Sequence, residues 1–256
     1  MITFETLTVD VADGLGHLTL NQPDSLNPLG TDALAEIAQA AQWMDDNGAV
    51  VVIVTGAGDR AFSAGFDLRQ WADNNQPGRP NGATLGFRMA DALERMDAIS
   101  IAAIHGHCIG GGLVLAAACD LRVAADNTNF AIPEVDLGIP LAWGGIPRLV
   151  REIGPALTRE LVMTCRPFDA HEAKAAGFVN RVVPRAELET AVDELARSLL
   201  TKAPSVLRAT KRQVQTATED LASTQDGWSG VSHLQAALSD PVARARAAAY
   251  LESLGR

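Results

Sequence analysis

Two short apolar runs constrain this chain more than any other feature. Val50 to Val54 and Ile101 to Ile104 contain no polar alternation, and the first is wholly β-branched. A strand with one wet face alternates, so an unbroken run predicts a strand buried on both faces. That demands helices on either side of a mostly parallel sheet. The intervening segments supply them. Thr31 is a candidate N-cap for a helix to about Trp43, with Leu34, Ile37 and Ala41 on one face. Leu85 to Met96 predicts a second helix and Leu113 to Cys119 a buried third, with a strand over Leu121 to Ala124. Phe4 to Val9 and Leu15 to Leu20 alternate, and Gly14 near their junction makes them a hairpin. Trp143 to Ile153 and Pro155 to Met163 predict helices separated by Gly154, and from Glu187 to Leu254 the chain is nearly all helical.

The class is therefore α/β with a helical C-terminal region. The division falls near Lys202 to Pro204, giving a core over 1–200 and a helical region over 201–256. That region carries Leu207, Val214, Leu234, Leu238 and Tyr250, apolar groups that need the chain's own core or another subunit to cover them. Gly56 to Gly65 reads as a loop. Asp73 to Asn81, with Pro77 and Pro80, reads as a polar loop and a lid candidate.

With 256 residues, 47% of them hydrophobic, the chain can bury a sizeable core. Its 31 acidic and 21 basic residues give a formal charge of −10, which argues against nucleic acid as a partner. It does not argue against a small anionic ligand, which a helix N-terminus can hold. Cys108, Cys119 and Cys165 fit neither zinc nor disulfide spacing and read as buried thiols in a reducing cytoplasm. No apolar run reaches membrane-spanning length, and the first ten residues carry no signal-peptide pattern. The expectation is a soluble, cytoplasmic protein.

Each apolar run leads into glycines. Gly56-x-Gly58-x-x-Ala61 invites a dinucleotide fingerprint, but no long helix follows, and no strand ending in an acid lies where the ribose partner belongs. Gly110-Gly111-Gly112 precede a buried helix. Such a run is costly in backbone entropy. It suits either tight helix–strand packing or the presentation of N–H groups at a positive helix end. Taken together, the two turns can each aim one N–H at a shared point, which makes an oxyanion hole.

At this point the residues resemble a known family. Leu20-Asn21-Gln22-Pro23-Asp24-Ser25-Leu26-Asn27-Pro28-Leu29 is similar to the N-terminal signature of the enoyl-CoA hydratase/isomerase (crotonase) superfamily, with Gln22 where Arg is usual. Phe62-Ser63-Ala64-Gly65-Phe66-Asp67-Leu68 resembles its first oxyanion loop, and Gly106 to Gly112 with Ala118-Cys119-Asp120 its second. Pro133 to Ile139 resembles the block that follows, and Ala170 to Val183 the segment after the active-site helices. The resemblance implies a crotonase-type spiral of ββα turns and a C-terminal helical trimerisation region, hence a homotrimer or hexamer. It implies an acyl-CoA thioester substrate in fatty acid metabolism, and no separate cofactor or metal, since CoA is part of the substrate. It places the oxyanion donors on the N–H groups of Phe66 and Gly111. Contacts to the CoA thioester are expected from Ser25, Leu26, Ala64 and Gly110.

Hydratases of this family use two glutamates. Here the second is Glu134, while the first position holds Val114, which moves no proton. Paired carboxylates suit hydration, whereas one carboxylate suits a proton shuttle between C2 and C4 of an enoyl thioester. The resemblance is closest to single-glutamate enoyl-CoA isomerases. Dienoyl-CoA isomerases need acids at positions that here hold Val114 and Ala142. Taken alone, Glu134 reads first as a helix-start carboxylate facing the dipole; the resemblance favours a catalytic base. Asp67 reads as an N-cap, Asp136 as a solvated or capping acid, and His105 and His107 as structural. Trp143 stands in place of glycine-rich sequence, either in the core or narrowing the acyl pocket. Arg60, Arg69 and Arg148 are candidate phosphate contacts without further support. The rival functions are hydration with Glu134 alone and non-catalytic acyl-CoA binding. A NAD-dependent oxidoreductase is a remote third.

Overall fold

The structure is a computed structural model that describes residues 2–70, 82–224 and 228–253. The chain opens with the expected hairpin: β1 (Leu7–Ala12) pairs antiparallel with β2 (Leu15–Leu20) around a left-handed Asp13-Gly14 turn. β1 starts later than the alternation from Phe4 suggests. The N–H groups of Glu5 and Thr6 go to the Glu36 carboxylate, at 2.9 Å each, instead of to a strand. Glu36 belongs to α1 (Thr31–Asp46). Gly30, and not Thr31, is the N-cap of α1. The Thr31 N–H and hydroxyl both donate to Gln70 Oε1, at 2.9 and 3.2 Å, so the helix start is satisfied from a distant side chain.

Three ββα turns follow. The first is β3 (Val51–Gly56), β4 (Ala61–Ser63) and α2 (Gly82–Arg95). The second is β5 (Ile99–Ile104), β6 (His107–Ile109) and α3 (Gly111–Ala117). The third is β7 (Leu121–Ala125), β8 (Asn129–Ala131) and α4 (Gly145–Thr164). Then come β9 (Phe168–Asp169), α5 (Ala170–Ala175) and β10 (Arg181–Val183), followed by α6 (Leu188–Leu200), α7 (Pro204–Leu221), α8 (Trp228–Ser239) and α9 (Pro241–Ser253). Among the described residues the strands form two sheets. One runs β1-β2-β3-β5-β7-β10 and is parallel beyond the hairpin; the other runs β4-β6-β8-β9. β4 lies inside the stretch expected to be loop. Its pairing is too short to show as periodicity, and it is fixed by Phe62 N–H donating to His105 O at 2.8 Å.

Successive strand side chains point to opposite faces, and in the apolar runs both faces are buried. Val52, Val54, Ala102, Ile104 and Ala124 pack toward α1, α2 and α3, while Val51, Ile53, Ile101, Ala103 and Val123 pack against Leu188, Val192 and Ala196 of α6. Full burial of each large side chain contributes about 1.5–3 kcal/mol. Gly154 (φ +71) breaks α4 into the two segments expected. α7 is pinned to the core by buried Lys211, whose Nζ donates to Ala98 O and to Asp120 Oδ2, each at 2.8 Å. No described helix is long and apolar enough to cross a membrane. The lid candidate over 73–81 lies outside the described residues.

Candidate active site

A cavity of about 780 Å³ opens between the two glycine-rich turns, the segment after β8 and the last two helices. Ser25, Leu26, Ala64, Phe66, Gly110, Gly111, Glu134 and Trp143, dispersed in sequence, all line it.

The first wall is organised by Asn27. Its side chain accepts the Gln22 N–H at 3.0 Å and donates to Ala57 O and Ala61 O at 3.0 and 2.9 Å. These bonds hold Leu26 (φ +66) and Asn27 (φ +52) in the left-handed region. Ala64 N–H donates to Leu26 O at 2.9 Å, and Ser63 Oγ donates to Asn27 O at 2.7 Å. The strand-like bridge between Leu29 and Phe66 uses Gly65 O and Asp67 N–H, so the Phe66 N–H projects to the opposite side. Gly65 (φ +80) brings the two turns together, because a Cβ there would lie 2.5 Å from Ile109 O and 3.1 Å from Gly111 N. Gly111 is the first residue of α3, so its N–H is among those an α-helix leaves without an intrahelical partner. In the sequence Asn27 and Ser63 carry no signal of their own, because the bonds that place them include ones to residues 30 to 36 positions away.

Glu134 follows β8 in a turn, with Leu137 N–H on Pro133 O at 3.0 Å and Ile139 N–H on Glu134 O at 2.9 Å. No helix starts there, so the dipole explanation for this carboxylate falls away. The residue is half-buried, yet its Oε2 is fully buried and has no hydrogen-bond partner among the described residues. Burial pushes its carboxyl up to about 7. Its Oε1 occupies the space a Cβ on Gly110 (φ +50) would need, which sets the carboxylate one residue from Gly111.

Val114, fully buried, also lines the cavity. Ala142 lines it too. Asp67 is buried, lines the cavity and precedes a short 3-10 turn over Leu68–Gln70. His105 is buried with Nε2 2.8 Å from Gly58 O, and burial lowers its pKa. His107 differs from the structural role expected, being exposed on β6 and lining the cavity. Arg60 donates to Pro23 O and Asp24 O at 2.9 Å each. Arg148 is buried and paired with Glu94, so it is no phosphate contact. The Arg69 side chain lies outside the described set. Cys108 and Cys119 are buried as expected, while Cys165 is partly exposed. Leu234 and Leu238 of α8 and Tyr250 and Leu251 of α9 also line the cavity. In the sequence these helices show only an apolar surface in need of cover. Nothing in their spacing ties them to Glu134.

The family model for enoyl-CoA hydratase/isomerase matches residues 10–252. The chain belongs to the enoyl-CoA hydratase/isomerase family. It is 36% identical to a protein of Syntrophomonas wolfei named crotonyl-CoA hydratase, over 82% of this chain and 81% of the relative. It is 39% identical to carnitinyl-CoA dehydratase of Escherichia coli K12, over 79% and 77%. Its fold superposes on the crystal structure of an enoyl-CoA hydratase from Mycobacterium avium subsp. paratuberculosis with a TM-score of 0.87 and 25% identity, covering 97% of this chain and all of the other. As a member of this hydratase/isomerase family, the chain is an enzyme with the crotonase-type α/β fold.

Proposed function

We propose that this enzyme moves the double bond of an enoyl-CoA thioester, with Glu134 as proton shuttle. The thioester oxygen lies between the N–H groups of Phe66 and Gly111, and Ser25, Leu26, Ala64 and Gly110 receive the CoA arm. Glu134 takes a proton from C2 of a 3-enoyl thioester as the C–H electrons pass into the carbonyl. The resulting dienolate is held by the two donors, which act most strongly where charge develops. Glu134 then returns the proton at C4, giving the conjugated 2-enoyl product. Atoms and charge balance without a separate cofactor. The observation that carries this reading is the Glu134 carboxyl, raised to about 7 by burial, with Oε1 beside Gly110 and a buried Oε2 that has no hydrogen-bond partner among the described residues, in a cavity also lined by apolar Val114. A base works best when its pKa lies near the operating pH.

A second reading is hydration of a 2-enoyl-CoA with Glu134 as the sole acid–base group. The names of the relatives, a hydratase and a dehydratase, support it. Purified enzyme given 3-enoyl-CoA and 2-enoyl-CoA in parallel separates the two. Isomerisation faster than hydration is expected, and hydration alone would overturn the shuttle. The absence of turnover with both, together with thioester binding, would favour a non-catalytic binder. The proposal includes a homotrimer or hexamer in the cytoplasm. Native mass spectrometry is expected to give a multiple of three, and a monomer would contradict it.

A further inference from the structure

A bulky side chain at positive φ persists only where its surroundings over-determine it, and such residues cluster at functional sites. Trp143 (φ +60) and Gly144 (φ +68) are consecutive left-handed residues. Their carbonyls both accept from Nη1 of Arg148, at 3.0 and 3.1 Å. Arg148 is 2% exposed, and its Nη2 is paired with Glu94. Glu94 in turn holds Arg151 at 2.6 Å, and Arg151 reaches Glu219 at 2.6 Å. A buried guanidinium with fixed partners is a rigid clamp.

The clamp places the indole across the gap between α2 and α3. A Cβ on Gly86 or on Gly111 would collide with the ring, so the ring fits only because both positions are glycine. Its edge meets Phe66, with ring centroids 6.2 Å apart and planes at 76°. Trp143 therefore touches both residues assigned as donors. Trp143 also lines the cavity that Phe66, Gly111 and Glu134 line, so the ring stands beside the space open to an acyl group whose thioester oxygen sits at those donors.

We propose that Trp143 is the end wall of the acyl pocket, restricting the acyl group to a short chain, and that Arg148 is the positioning residue that fixes the wall. The proposal rests on the acyl-CoA reading above. The test is calorimetric binding of two saturated thioesters, butyryl-CoA and decanoyl-CoA, which have no double bond to move or hydrate. The parent is expected to bind butyryl-CoA more tightly by at least about tenfold. Trp143→Gly relieves the positive φ while opening the gap, and it is expected to raise decanoyl-CoA affinity relative to butyryl-CoA by about tenfold or more. Trp143→Phe should shift the same ratio by less. Arg148→Lys keeps a positive charge but loses the fork that joins both carbonyls, through Nη1, to Glu94, through Nη2, and it too should move the ratio toward decanoyl-CoA. Equal binding of the two thioesters by the parent, or an unchanged ratio in Trp143→Gly, overturns the wall. An unchanged ratio in Arg148→Lys alone overturns the positioning role. A parent that binds neither thioester overturns the acyl-CoA reading and the wall with it.

Discussion

Glu134→Gln is expected to make the protein more stable and less active, from a single cause. Burial raises the carboxyl from 4.5 to about 7 in the folded protein. Between those values the folded state keeps a proton that the unfolded state releases, so stability falls as pH rises through this window. At about 1.4 kcal/mol per pH unit, the loss accumulates to about 3 kcal/mol above pH 7. It is absent below pH 4.5, where the group is neutral in both states. Gln fills nearly the same volume and has no charge to desolvate. Urea denaturation at pH 8 should therefore show Glu134→Gln more stable than the parent by about 3 kcal/mol, and at pH 5 by no more than about 1 kcal/mol. Protein concentration must be equal in all arms, because assembly contributes to apparent stability. The same variant should lose about 10²–10⁴-fold in isomerisation. Parent activity should rise with pH through about 7, because the shuttle begins unprotonated. A stability difference that is the same at both pH values, or no gain at pH 8, would refute the buried-charge argument.

The remaining predictions concern the donor turn and the missing acid. Gly111→Pro removes one N–H, but any side chain there also strikes the Trp143 ring. Gly111→Ala shares the collision and keeps the N–H, so turnover of the Pro variant should fall below that of the Ala variant by about 10²–10³-fold; equal rates would remove Gly111 from the oxyanion hole. Val114→Glu restores a second carboxylate at a fully buried cavity position. It should raise hydration relative to isomerisation, and its own pKa should be elevated by burial. A folded variant with an unchanged ratio would shift the control of reaction type to other residues.

The core was legible because buried parallel strands leave unbroken apolar runs, and Val50 to Val54 and Ile101 to Ile104 became β3 and β5 with both faces covered. The short strands β4, β6 and β8 were not, since three residues carry no readable period and their pairing depends on partners far away in sequence. Thr31 looked like a cap because of its residue type, yet the bond came from Gln70, which no local rule finds. The residues named for the site converge on one cavity because motif order encodes their relative placement. Leu234, Leu238, Tyr250 and Leu251 were missed as site residues, because closure of α8 and α9 over the cavity is a tertiary event. The Arg148 clamp was missed for the same reason: an isolated Arg in a sequence does not reveal that two carbonyls and Glu94 await it.

In the proposed mechanism Glu134 handles the C2 proton of a thioester whose oxygen is held by Phe66 and Gly111. Exchange of the C2 protons of butyryl-CoA with deuterated solvent, followed by NMR or mass spectrometry, tests that step without requiring a complete reaction. Exchange catalysed by the parent is expected, with a loss of at least about 10²-fold in Glu134→Gln and butyryl-CoA affinity nearly unchanged. Exchange by Glu134→Gln at close to the parent rate, with normal binding, would contradict it.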